Sequence, residues 1–174
     1  VSDVDVLTLY ETLLNAPEEP LARRCRRLPP SSSGLVYYWG VKQNFEELGV
    51  HNIFFSADYP REFSQIHELG KVPDDPTVYV NITSKLTPSD APEGCENWFV
   101  LINAPPHDGR DWDEELTRTR EKVLTRLSRE LKVQVEDLIE AEGTLTPRGI
   151  EEDTGSWRGS LYGISSNTLT AAFL

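Results

Sequence analysis

The chain has 174 residues, with 29 acidic against 17 basic side chains and a formal net charge of −12 at pH 7. Its length suits one domain or one lobe of a larger protein, and 38% hydrophobic with 26% charged residues is ordinary globular composition. The acidity argues against a duplex nucleic-acid binder, which needs clustered Lys and Arg, and the longest apolar run, residues 98–102, is far too short to span a membrane.

Residues 5–14 are expected to form a short helix with Asp3 or Asp5 as N-cap, ended by the Pro-containing run 15–20. A second short helix is expected over 20–27, stopped by Pro29 and Pro30. It carries the one basic cluster, Arg23, Arg24, Arg26 and Arg27. Such a cluster can attract anionic lipid head groups; at a helix end the same cations complement the dipole, and this second reading is the favoured one. After the turn-forming run 31–34, residues 35–41 are aromatic and β-branched and read as a strand, with Leu35, Tyr37, Trp39 and Val41 on one face.

A second strand is expected at 50–56, a helix over 59–69 stopped by Gly70, and strands at 77–83 and 96–103 that are neighbours in one sheet. The clearest helix is 111–132. Its first turn is acidic, its apolar stripe is Leu116, Val123, Leu124, Leu127 and Leu131, and Glu114 and Arg118 are spaced to pair. Residues 135–145 are ambiguous, strand by pattern but rich in acids. Thr146-Pro147 then reads as N-cap and first residue of a helix ended by Gly155, followed by a Gly/Ser-punctuated loop over 157–167. The order of elements predicts an α+β fold: an antiparallel sheet of four to five strands with helices packed mainly on one face.

Few residues carry chemistry by themselves. Cys25 and Cys95 permit one disulfide but nothing requires it, so free thiols are the simpler expectation, and the three histidines lack metal-ligand spacing. No metal site and no catalytic residue is assigned. Asp74 and Asp75 form a carboxylate pair, though Asp beside Pro is more often turn chemistry. The aromatics of 35–41 suit either an apolar ligand pocket or a packed core. In 155–163 three glycines allow close backbone approach, and Arg158 suits a phosphate or carboxylate, without the Gly-x-Gly-x-x-Gly context of a dinucleotide site.

Taken together, six stretches resemble one family. Ser32-Ser-Gly-Leu-Val-Tyr-Tyr-Trp-Gly40, His51-Asn-Ile-Phe-Phe-Ser56, Tyr59-x-x-Glu62-Phe63, Pro73-Asp-Asp-Pro-Thr-Val-Tyr-Val80, Ala91-Pro-x-Gly-Cys-Glu-Asn97 and Gly155-Ser-x-Arg-Gly-Ser-Leu-Tyr-Gly163 occur in the order seen in bacterial-type phytoene desaturases. These are carotenoid dehydrogenases of the flavin-dependent, amine-oxidase-like group. The opening residues 1–3 also resemble a segment following that family's central region.

The resemblance implies that residues 1–174 are a single substrate-binding lobe cut from a longer two-domain flavoprotein. The absence of an initiating Met and the apolar close at 168–174 fit that expectation. It implies an oxidoreductase that introduces double bonds into a long polyene such as phytoene, or a carotenoid isomerase or saturase. The parent would hold FAD through segments outside this chain, so none is expected bound to residues 1–174, and would work peripherally on the cytoplasmic face of the membrane. Tyr37, Trp39 and Tyr162 are the implied substrate contacts, and Gly155 and Arg158 the implied cofactor contacts. The competing expectation is a non-catalytic module that binds a lipid or a protein partner.

Overall fold

The computed structural model describes residues 2–165. Val1 of the opening motif, the end of the 157–167 loop and the apolar close at 168–174 lie outside the described residues. Helix α1 (Val6–Thr8) continues into a π turn at Leu9–Leu13, so the helix expected over 5–14 is present in two pitches. Asp5 caps it by accepting from Leu7 N at 2.8 Å. Helix α2 (Pro20–Arg26) follows, then β1 (Ser33–Val41), β2 (His51–Phe54), α3 (Tyr59–His67), β3 (Val78–Asn81), β4 (Glu96–Ala104), α4 (Trp112–Leu131), β5 (Ile139–Leu145) and α5 (Pro147–Thr154).

The five strands form one antiparallel sheet in the order β2-β3-β4-β1-β5. The segment 135–145 divides, with a short 3-10 turn at Val135–Leu138 preceding the strand. Its acids are tolerated because β5 is an edge strand and keeps Glu140 and Glu142 exposed.

Alternation assigns the two faces of the sheet. Leu35, Tyr37, Trp39 and Val41 of β1, Trp98, Val100 and Ile102 of β4, and Val78 and Val80 of β3 form the core with Trp112, Val123, Leu124 and Leu127 of α4. Each such large side chain removed from water is worth about 2–3 kcal/mol. Helix α4 begins where Asp111 accepts from Asp113 N and Glu114 N and ends at Lys132, whose φ of 59° is left-handed. Arg118 pairs with Glu115 rather than the expected Glu114, one turn position over on the same exposed face. Much of the other face is open among the described residues, as Tyr38 at 45% and Ile53 at 55% exposure record, but its Val36–Leu145 end is closed, with Val36 buried and α5 against Leu145.

Residues 160–165 run back along 29–33. Ser31 N donates to Gly163 O, Leu161 N to Ser32 O and Ser165 N to Pro29 O, at 2.8–3.0 Å. The Gly/Ser loop is thereby fastened to the start of β1.

Candidate functional site

The uncovered face is built by register. Following the pairs across the sheet, one row reads His51, Asn81, Phe99, Tyr38, Gly143, and the next reads Ile53, Tyr79, Leu101, Val36, Leu145. The second row has no charged group and is open only up to Leu101, since Val36 is buried. Ring contacts make the surface continuous: His51 stacks on Tyr79 with centroids 6.1 Å apart, Tyr79 meets Phe99 edge-on at 6.4 Å, and Phe99 meets Tyr38 edge-on at 5.6 Å. Beyond Tyr38 the floor drops to Gly40, Ala141 and Gly143, which with Phe99 and Asn97 line a depression of about 430 Å³. A Cβ on Gly40 would lie 3.3 Å from the Ala141 Cβ, so glycine there keeps β1 and β5 in close approach.

The implied substrate residues divide between the faces. Tyr37 and Trp39 point under α4 and are 0% and 2% exposed. Tyr37 Oη donates to Leu116 O at 2.7 Å, and burial pushes its phenol above the ordinary value. Trp39 Nε1 donates to Glu142 Oε1 at 3.0 Å, and Arg120 Nε grips the same carboxylate at 2.8 Å. A ligand on the uncovered face meets Tyr38, between them in sequence. Tyr162 is 77% exposed in the 155–163 loop, and its neighbour Leu161 reaches the same face, its methyl 3.5 Å from where a Cβ on Gly34 would stand.

The implied cofactor residues are occupied by the chain's own atoms. Gly155, at φ 70°, ends α5 and lies against Thr8, whose hydroxyl donates to its carbonyl. Gly159 approaches Pro147. Arg158 Nε donates to His107 O at 2.7 Å, and its backbone N donates to Glu151 Oε1 at 3.0 Å. A carboxylate against the loop repels a pyrophosphate, and neither glycine leaves a cradle for one. These residues alone do not fit a flavin phosphate site.

The remaining candidates are structural. Asp74 accepts from Lys71 Nζ at 3.0 Å and from Gln65 Nε2 at 2.7 Å, and these bonds, the lysine's above all, hold it below the ordinary carboxylate range. Burial opposes ionisation of Asp75, but hydrogen bonds from Ala57 N and Arg126 outweigh it and hold its carboxyl low as well. Both fasten the turn before β3. Cys25 and Cys95 are free thiols, and among the described residues no cluster of His, Cys, Asp and Glu could hold a metal ion.

One ion pair gives a pH prediction. Arg110 Nε donates to Asp108 Oδ1 at 2.8 Å, and this hydrogen bond above all lowers the Asp108 carboxyl from 3.8 to about 2. A depressed carboxylate stabilises the fold above its unfolded value, and that contribution is lost as pH falls through about 2. Asp108→Asn is expected to flatten the acid limb of the stability curve between about pH 4 and 2. Urea denaturation across that window tests it, and an unchanged limb contradicts it.

Face residues Tyr38, Tyr79, Phe99 and Ile53 were not singled out by the sequence, although the alternation that buries Tyr37 and Trp39 also turns Tyr38 outward. The signal was present, but periodicity does not say which face a helix covers.

Comparison with known proteins gives a consistent set. The chain is 46% identical over 175 residues to a 1-hydroxycarotenoid 3,4-desaturase of Flavobacterium sp. (strain P99-3), which covers 99% of this chain and 35% of that protein. It is 35% identical to a 4,4'-diapolycopene oxygenase of Methylomonas sp. and 33% identical to a 4,4'-diaponeurosporene oxygenase of Staphylococcus haemolyticus (strain JCSC1435), in each case over 94% of this chain and 33% of the relative. The chain spans about a third of the length of these curated relatives. No family model matches it.

Proposed function

We propose that this chain, homologous to about a third of the carotenoid desaturases and oxygenases it matches, is the polyene-contacting lobe of a flavin-dependent carotenoid oxidoreductase. The observation that carries the reading is the uncovered row of rings from His51 to Tyr38, continued by the small residues Gly40, Ala141 and Gly143. A conjugated hydrocarbon is long, flat and apolar, and contiguous apolar surface left open on a sheet is a binding surface.

The lobe's own residues bind and orient. Rings locked edge to face hold a polyene against a rigid strand scaffold and keep water from its reacting carbons. Tyr37 and Trp39 support this surface from beneath, pinned by Leu116 and by the Arg120–Glu142 pair. Leu161 borders it at the Gly34 end, and Tyr162, next in the chain, is exposed. A flavin, held by segments outside residues 1–174, would supply the hydride acceptor. The parent takes its substrate from the membrane surface as a peripheral protein on the cytoplasmic side. Leu13, Leu14 and Leu21 are exposed near the arginines of α2, a combination suited to a lipid interface.

The full-length protein, reconstituted with FAD and an acyclic carotenoid in lipid vesicles, is expected to bind flavin and shift the carotenoid's absorption. Absence of both flavin and any spectral change overturns the reading in favour of a non-catalytic binding module. Residues 1–174 alone are expected to purify without flavin; stoichiometric retention contradicts the placement of the cofactor site.

A further inference from the structure

We infer that the corner formed by His51, Tyr79 and Asn81 is a subsite for an oxygen function at the end of the polyene, with His51 Nε2–H as its donor. This rests on the polyene reading of the uncovered face and adds to it a choice between substrates.

The hydrogen bonds decide which ring nitrogen carries the proton. Asn81 Nδ2 lies 3.0 Å from Val50 O, an acceptor only, so that atom is the amide nitrogen and a donor. The same nitrogen lies 3.2 Å from His51 Nδ1, and Tyr79 Oη lies 2.7 Å from it. A donor facing Nδ1 requires a lone pair there, so Nδ1 accepts from the Tyr79 hydroxyl and the ring proton of the neutral imidazole resides on Nε2. Stacking on Tyr79 fixes the ring plane. Among the described residues Nε2 has no partner, and His51 is exposed.

Position gives this donor its use. His51 stands on the edge strand β2 at the end of a row that becomes aromatic and then small toward β5. Four interstrand steps of about 4.8 Å make the surface roughly 19 Å wide. Asn97, the amide that lines the depression at the far side of the rings, is spent on Ser84 N and Thr83 Oγ1. A polyene laid along the rings with its end at β2 therefore meets a fixed N–H. A hydrocarbon end would cover that donor without pairing it, whereas a hydroxyl or carbonyl oxygen accepts from it.

The test uses the full-length protein and two acyclic polyenes identical except for a terminal hydroxyl. Wild type is expected to favour the hydroxylated polyene about tenfold in kcat/KM, the scale of one hydrogen bond. His51→Phe keeps an aromatic ring but removes the donor, and the ratio is expected to collapse toward one. His51→Gln restores an N–H and is expected to recover part of the preference. The inference is overturned by a wild type without preference, or by a ratio that survives in His51→Phe while both rates fall together, the mark of a merely structural role. If wild type converts and binds neither polyene, the functional reading falls as well.

Discussion

Gly159→Ala is expected to lower stability by more than about 3 kcal/mol, or to prevent folding altogether. Gly159 has φ +64°, where any Cβ is strained, and a Cβ placed there would lie 2.0 Å from the Pro147 carbonyl oxygen and 2.8 Å from its carbon. Both atoms belong to the backbone at the first turn of α5, so nothing can rotate aside. The carbonyl of Gly159 also accepts from the buried Ser33 hydroxyl at 2.5 Å, tying α5 and the loop to the start of β1. Gly94 is the control: its φ is +77°, and a Cβ there would meet no atom within 4 Å, so alanine costs only the backbone strain of about 1–2 kcal/mol. Equal losses at the two positions, measured by urea denaturation, would contradict the close-packing account.

Glu96→Ala has the second large effect, an expected loss of about 3–5 kcal/mol. The side chain is 1% exposed, yet every bond it makes is filled: Lys85 Nζ at 2.6 Å, Phe45 N at 2.9 Å and Trp98 Nε1 at 2.8 Å. Alanine leaves two N–H groups without an acceptor beside the aromatic core and leaves the Lys85 charge unpaired, with only the Phe45 carbonyl oxygen to accept from it. Removing Lys85 in the same protein, as Lys85→Met, should return part of the loss because the stranded charge goes with it. A single-mutant cost below about 1 kcal/mol would show that the pair is solvated instead.

Much of the fold was legible because its signals are local. Thr146 caps α5, as its position before Pro147 requires, and the period-two pattern of 35–41 puts Leu35, Tyr37, Trp39 and Val41 in the core. The pairing of 77–83 with 96–103 was legible, but the rest of the sheet order and the Trp39–Glu142–Arg120 chain were not, because they join residues far apart in sequence. Aromatic content drew attention to Tyr37 and Trp39, and only the position of α4 shows that Tyr38 is the ring left open. His51 was likewise unremarkable until pairing set it beside Asn81 and Tyr79.

The central claim is that the uncovered face holds the polyene, and Phe99 lies at its middle, in edge contact with both Tyr38 and Tyr79. In the full-length protein Phe99→Asp places a charge where hydrocarbon must lie, at little cost to a half-buried position on the open side of the sheet. The account predicts polyene turnover reduced more than about tenfold, with flavin content and melting temperature retained. Turnover at the wild-type rate in that variant would contradict it.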